Sequence, residues 1–437
     1  MSTSTSTALL TDHYELTMLQ AALRSGAASR HAVFEVFARQ LPGGRRYGVV
    51  SGIGRVLDAV EDFRFGDEEL AFLRDGEVVD EPTLDFLAGY RFSGDVYGYR
   101  EGECYFPGSP IMTVEGTFAE AVLLETVILS VLNHDCAIAT AAARMVRAAA
   151  GRPIIEMGSR RTHERSAVAA ARAAYLSGFS STSNLMAGHL YGVPTAGTAA
   201  HAFTLLHDSE RDAFQAQIVS LGAGTTLLVD TYDVAEAVRT GVELAGPELG
   251  AVRLDSGDLC EVATEVRAQL DALGAHKTRI IVTSDLDEYA IASLASAPVD
   301  GYGVGTSLVT GSGVPTAAMV YKLVAREDAS GVLAPVAKKS VGKPSRGGRK
   351  RAFRRLDASG TADAELVFTS GREAGDAGPL QVPGARPLQV PLVRGGEVVG
   401  RESLEASRAW HREALAELPS DAHHLSRGDA VLPTVFD

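Results

Sequence analysis

At 437 residues, 46% of them hydrophobic and 22% charged, the chain is long enough for two or three globular domains with sizeable cores. A formal net charge of -14 excludes a general nucleic-acid or membrane-surface binder, which needs a broad basic face, but not a locally basic pocket for a small anion. Cys104, Cys136 and Cys260 lack any Cys-x-x-Cys spacing, which fits a reducing cytoplasm and excludes a zinc knuckle or a disulfide framework.

Residues 1–7 are a Ser/Thr repeat without a basic or apolar stretch, read as a frayed tail and not as a signal peptide. From Thr11 a helix is expected, with Leu16, Leu19, Ala22 and Leu23 at helical spacing. A strand over 33–37 follows, then a helix over 51–63 with Val56, Leu57 and Val60 on one face. Strands over 94–99 and 110–114 flank a Gly/Pro turn, and 118–150 is a long Ala- and Leu-rich helical region broken near Asn133. Its most apolar part, 121–132, carries Glu125 and is too short to span a bilayer. It reads as a buried helix of a soluble protein. Strands and helices here mix without strict alternation, so 1–150 is expected to be an open α/β domain.

Beyond residue 151 the pattern changes. Strand-like apolar runs recur at 153–157, 193–197, 225–229, 250–254, 279–283 and 301–305, separated by helical stretches at 163–177, 233–240, 258–273 and 287–295. Repeated β-then-α units imply parallel strands with right-handed crossovers. Six such units make an irregular β/α barrel over 151–325, without an exact sequence repeat. In the remaining part, 326–437, residues 329–356 hold no acid and 338–355 hold nine Lys or Arg. That segment reads as a solvated basic loop, placed to close over polyanionic substrates. Gly/Ser/Pro-rich stretches at 340–348 and 371–384 mark further loops, and a helix is expected at 403–418. The fold class is therefore α/β: an irregular barrel plus an open α/β domain, with the C-terminal segment docking on the N-terminal domain.

Polar and charged residues follow nearly every barrel strand: Arg160 and Arg161, Thr198 and His201, Asp230, Arg253 with Asp255 and Ser256, Ser284 and Asp285, Gly305 and Thr306. Barrel active sites are built at the C-terminal strand ends. Any one of these residues reads equally well as a helix cap or a surface charge; six strand ends together read as a site. Gly301-Tyr-Gly-Val-Gly-Thr306 lets backbone N–H groups approach phosphate oxygens and adds a hydroxyl donor, with the small-residue loop Thr310-Gly-Ser-Gly313 beyond it. Arg253-Leu-Asp-Ser-Gly-Asp258 combines a guanidinium suited to a phosphate or a ring face with carboxylates suited to ribose hydroxyls or to magnesium and its waters. Ser256 or Asp258 also suits the cap of the next helix. His201 alone, one turn beyond a strand, reads as structural or merely exposed, and His163 and His207 have less support.

Seven segments, in this order, carry a resemblance: Leu10-Thr-Asp-His-Tyr-Glu-Leu-Thr17, Met157-Gly-Ser-Arg-Arg161, Gly178-Phe-Ser-Ser-Thr-Ser-Asn184, Gly197-Thr-Ala-Ala-His201, Val252-Arg-Leu-Asp-Ser-Gly-Asp-Leu259, Gly303-Val-Gly-Thr306 and Tyr321-Lys-Leu323. Over nearly its whole length the chain resembles the nicotinate phosphoribosyltransferase family, with the fold of type II phosphoribosyltransferases. The resemblance implies a cytoplasmic homodimer with a shared active site, joining nicotinate to phosphoribosyl pyrophosphate with the help of ATP and magnesium. It implies that Tyr14 stacks on the pyridine ring in the neighbouring subunit's site. Arg160 and Thr198 would hold the substrate carboxylate, and Arg253 would lie beside the ring and the donor. Gly303, Gly305 and Thr306 would grip the 5′-phosphate, with Ser256, Gly257 and Asp285 completing the donor site. His201 matches the family's phosphorylated histidine, and Asp255 is the carboxylate expected to help an oxocarbenium-like transition state. Related nicotinamide enzymes carry an aspartate at the position of Ser183. An aspartate accepts from an amide but repels a carboxylate, so serine favours nicotinate. Met157-Gly-Ser-Arg-Arg-Thr162 departs from the family's frequent Phe-Gly-Leu-Arg-Arg-Ala, which removes an aromatic contact. The competing readings are a quinolinate- or nicotinamide-type enzyme of the same fold and a non-catalytic phosphate-binding barrel.

Overall fold

The computed structural model describes residues 6–338, 345–370 and 381–437. Most of the expected N-terminal tail, residues 339–344 of the basic segment and residues 371–380 of the second Gly-rich stretch lie outside the described residues. The chain divides into two units, one of residues 1–137 with 316–437 and the other of residues 138–315.

A seven-stranded antiparallel sheet organises the first unit, in the order Leu333–Pro335, Met319–Glu327, His31–Ala38, Met112–Thr117, Asp95–Tyr99, Gln389–Arg394, Glu397–Val398. Phe34 pairs with Val114 on one side and Leu323 on the other. The C-terminal residues thus dock on the N-terminal ones as neighbouring strands, and Ala352, Val367, Leu388 and Leu392 share one buried cluster with Leu16, Phe34 and Val114. The helix His13–Ser25 adds Leu16 and Leu19 to that core, and Gly26, at φ 74°, ends it by turning its N–H back to Ala22 and Leu23 carbonyls.

Three expectations change. The long helical region breaks at residues 123–124, between Phe118–Val122 and Glu125–Ala148, and not near Asn133. Asn133 stays helical because its amide is spent elsewhere: its Oδ1 accepts from Met319 N–H and Thr316 Oγ1, each at 2.9 Å. By length and composition residues 118–148 are long and apolar enough to cross a membrane, yet Leu124, Ile128, Leu132 and Cys136 are packed in the first unit's core. The basic segment is not all loop, since Arg349–Leu356 is an inner strand of a second sheet, paired with Ala362–Ser370 and Ala385–Pro387. Lys350 meets Glu35 at 3.0 Å and Arg354, wholly buried, meets Glu365 at 2.7 Å. These acids come from elsewhere in the chain, so a local charge count misses them. Helices at Asp67–Asp75 and Glu81–Ala88 were not expected.

Glu15, fully buried on the first helix, accepts from Thr126 N–H at 3.0 Å, from the Thr126 hydroxyl at 2.5 Å and from the Thr11 hydroxyl. Burial pushes its carboxyl from 4.5 up to about 7, against those hydrogen bonds. The folded state therefore retains a proton that the unfolded state has released, and stability falls as pH rises from about 4.5 through 7. Glu15→Gln should flatten that fall by on the order of 1–2 kcal/mol between pH 5 and 8 in urea melts; an unaltered pH slope would count against it.

The second unit is built on six parallel strands in the order Ser181–Thr182, Ile154–Glu156, Gly301–Val304, Arg279–Thr283, Ala251–Leu254, Thr226–Leu228. Val252, Leu254, Ile280, Val282, Tyr302 and Val304 are fully buried on them. The strand expected at 193–197 is reduced to one bridge, Thr195 with Thr182, because Pro194 has no N–H for a ladder. Among the described residues no ladder joins that edge to Thr226–Leu228, so the barrel is irregular and open. The helices Glu164–Leu176, Val234–Ala245, Leu259–Ala272 and Glu288–Ser293 alternate with the strands as expected, and Leu185–Tyr191, His201–Leu206 and Glu210–Leu221 are additional.

Candidate active site

Parallel strands place their C-terminal ends along one edge of the sheet, and the polar groups of the second unit gather there. Arg253, on Ala251–Leu254, donates through Nη1 to Thr198 Oγ1, in the loop after Thr195. Its Nε is buried without a hydrogen-bond partner among the described residues. Burial lowers the pKa of this guanidinium, Asp255 and Asp230 oppose that, and Arg160 reinforces it. Arg253 thus stands within electrostatic reach of both carboxylates and of the second arginine.

Asp230, at the end of the neighbouring strand, ties these groups to the histidine. Its Oδ2 accepts from the Asp255 N–H at 3.0 Å and the Ser256 hydroxyl at 2.7 Å. Its Oδ1 has no hydrogen-bond partner among the described residues and lies 3.9 Å from His201 Nε2. His201 opens the helix His201–Leu206, with Nδ1 3.1 Å from Thr231 Oγ1. Its side chain is 42% exposed, against 3% for Asp230. An imidazole held at one nitrogen and open to solvent, beside a buried carboxylate, can accept a transferred group. Glu210, with Asp230 among its neighbours, has its carboxyl pushed up to about 7 by burial first and then by Asp233, Asp230 and Glu236.

Asp255 Oδ1 accepts from the hydroxyl of Thr283, which ends the next strand. At Gly303 an added Cβ would stand 2.5 Å from Thr283 Cγ2 and 2.8 Å from Met157 Sδ, so a larger residue would have to displace these side chains of the neighbouring strand ends. Gly305 and Thr306 lead from that strand into the short turn Thr306–Val309. Arg160 ends the one-turn helix Gly158–Arg160, Ser183 follows Ser181–Thr182, and both are exposed. Ser256, Gly257 and Asp285 are exposed at the ends of their strands, with Gly257 at φ 84°.

Direct contacts therefore join Arg253 to Thr198, Asp255 to Thr283, and Ser256 with the Asp255 backbone to Asp230, beside His201. Tyr14 belongs to the other unit. It is 45% exposed and bonded to Glu125; burial, followed by Glu125, pushes its phenol up to about 12. Sequence reasoning missed Glu156. This carboxylate is fully buried and accepts from the Gly158 N–H and the Thr182 hydroxyl, while its own carbonyl accepts from Ser183 N–H at 2.8 Å. It fixes the turns that carry Arg160 and Ser183, and the available signal was an acid closing the apolar run Pro153-Ile-Ile-Glu156.

Residues 9–133 match the family model for the nicotinate phosphoribosyltransferase (NAPRTase) N-terminal domain. The chain is 57% identical over 434 residues to nicotinate phosphoribosyltransferase pncB1 of Mycobacterium tuberculosis (strain CDC 1551 / Oshkosh), covering 98% of this chain and 94% of that one. It is 36% identical over 365 residues to the nicotinate phosphoribosyltransferase of Bacillus subtilis (strain 168), covering 81% and 74%. The crystal structure of human nicotinic acid phosphoribosyltransferase matches with a TM-score of 0.82 at 27% identity, over 98% of this chain and 97% of that chain. With such identity along almost its entire length, this chain belongs to the nicotinate phosphoribosyltransferase family.

Proposed function

We propose that the chain joins nicotinate to phosphoribosyl pyrophosphate, giving nicotinate mononucleotide and pyrophosphate, and that ATP hydrolysis through His201 drives the cycle. The observation that carries this reading is the cluster Arg253, Thr198, Asp255 and Asp230 with His201 at one rim. Arg160 and Thr198 hold the nicotinate carboxylate, Ser183 donates to it, and Arg253 lies beside the ring and the pyrophosphate. The pyridine nitrogen attacks ribose C1 as the bond to pyrophosphate breaks. Asp255 stabilises the positive charge that develops on the ribose, and Thr283 orients it. Gly303, Gly305 and Thr306 grip the 5′-phosphate, and Ser256, Gly257 and Asp285 serve the rest of the donor.

A magnesium ion would accompany the donor's pyrophosphate. It prefers phosphate oxygens and water with one or two carboxylates, and Asp255 and Asp285 suit that. Among the described residues no group of three or more His, Cys, Asp and Glu side chains is placed to hold a metal unaided. When bound, the ion neutralises charge on the leaving pyrophosphate.

The reading extends to a homodimer. Leu185, Met186, Leu190, Leu205 and Leu206 are 50–77% exposed on the helices that follow the Ser183 and Thr198 segments, and such apolar surface favours a partner. A second copy would bring Tyr14 to the pyridine ring. The cysteines Cys104, Cys136 and Cys260 are all free, in keeping with a cytoplasmic enzyme.

A product assay with nicotinate, nicotinamide and quinolinate, each with and without ATP, tests the reading. Nicotinate mononucleotide should form and ATP should be consumed, with nicotinamide at least about tenfold poorer, a difference near 1.4 kcal/mol. Ser183→Asp should narrow or reverse that preference. Equal use of acid and amide by the wild type would remove Ser183 from its role, and turnover of quinolinate without ATP would favour the quinolinate-type reading.

A further inference from the structure

A second concave site lies wholly among residues of the first unit. A cavity of about 310 Å³ opens where Arg349–Leu356 faces the strands Asp95–Tyr99 and Gln389–Arg394, and its wall includes Arg349, Arg351, Arg394, Tyr97, Glu115 and Gln389. Arg349 and Arg351 are two apart on one strand and so project to the same side. Arg394 comes from a strand of the other sheet.

Counter-charges do not match these cations. Arg349 Nε meets Glu115 at 2.6 Å, and Arg394 Nη1 meets Asp95 at 3.2 Å, its guanidinium lying 4.4 Å from the centre of the Tyr97 ring. Lys350, also at the wall, is spent on buried Glu35. For the Arg351 side chain no hydrogen bond or ion pair occurs among the described residues, its backbone being paired with Phe368 in the sheet. A protein with a net charge of -14 thus holds an uncompensated guanidinium inside a cavity, flanked by two more.

Guanidinium forks are donors only, and one fork satisfies both oxygens of a carboxylate. Three forks around one space suit a group with oxygens on several sides, which a phosphate has and a carboxylate lacks. The volume lies at the small end of ordinary ligand sites, too small for a nucleic-acid strand. We propose that this cavity is a second anion site, taking a phosphate- or pyrophosphate-bearing small molecule, with Arg351 as its principal ligand and Arg349 and Arg394 beside it. The site stands independently of the function assigned to the barrel rim.

Titration calorimetry of the full chain with inorganic pyrophosphate at 150 mM salt tests it. The wild type should bind two equivalents per chain. Arg351→Gln should lose one of them, or bind it at least tenfold more weakly, with nicotinate turnover at saturating substrate unchanged. Arg253→Gln should weaken the other and keep the Arg351-dependent one; loss of only that barrel equivalent's function would bear on the catalytic reading and leave this site standing. Arg351→Lys, which keeps the charge without the fork, should bind with intermediate affinity and serves if the glutamine variant does not fold. Wild-type binding that Arg351→Gln and Arg351→Lys leave untouched would overturn the proposal, as would a single equivalent that Arg253→Gln abolishes.

Discussion

Arg253→Ala should lower kcat/KM for nicotinate mononucleotide formation by about a hundredfold or more, while the protein still folds. The guanidinium is the cation shared by Asp255, Asp230 and the Thr198 hydroxyl. Removing it leaves two carboxylates at the rim with Arg160 as the remaining cation of that group, at the proposed entry of an anionic acceptor and a polyanionic donor. Truncating one member of a buried, hydrogen-bonded charge set costs about 2–5 kcal/mol, and about 2.7 kcal/mol corresponds to a hundredfold. Both KM values should rise, since Arg253 is assigned to both substrates. Arg253→Lys should recover only part of the loss, because an ammonium supplies a point charge without the planar fork. A loss smaller than about threefold in the alanine variant would show that the rim does not depend on this cation.

The barrel was legible because its strands are buried on both faces and so appear as uninterrupted apolar runs; the run at 279–283 has the same limits as the strand Arg279–Thr283. Ser181–Thr182 was not legible, being two polar residues held by neighbours on either side. The Arg349–Leu356 strand was hidden for a different reason. Arg349, Lys350 and Arg354 meet Glu115, Glu35 and Glu365, all outside the basic segment, so its local charge resembled that of a solvated loop. At the rim, the position of Arg253 and Asp255 at the end of one apolar run, and of Thr198 and His201 just beyond another, could be read from the pattern alone. Roles were another matter. The expectations that His201 takes a phosphoryl group and that Tyr14 meets the ring came from the family resemblance, and Glu156, which orders two of the turns, had only an acid in an apolar run to announce it.

His201→Ala should erase the stimulation by ATP, bringing the ratio of rates with and without ATP to about one, while the ATP-free rate stays within about threefold of wild type. In the proposed cycle an imidazole nitrogen attacks the γ-phosphorus of ATP, the bond to the bridging oxygen breaks, and ADP departs; water later releases phosphate. A nucleotide changes a conformational balance only if its phosphoryl group interacts differently with the two states. In the proposed cycle the groups around His201 are the source of that difference. A phosphoryl group there adds close to two negative charges within a few ångströms of buried Asp230, whose Oδ1 lies 3.9 Å from Nε2 without a hydrogen bond among the described residues. Asp230 in turn holds the Asp255 N–H and the Ser256 hydroxyl, so repulsion at the histidine bears directly on the segment that carries Arg253 and Asp255. Label from γ-phosphate-labelled ATP should remain on the denatured wild type at alkaline pH and be absent from the alanine variant. Retained label, or an unchanged response to ATP, would take the histidine out of the cycle and require another acceptor.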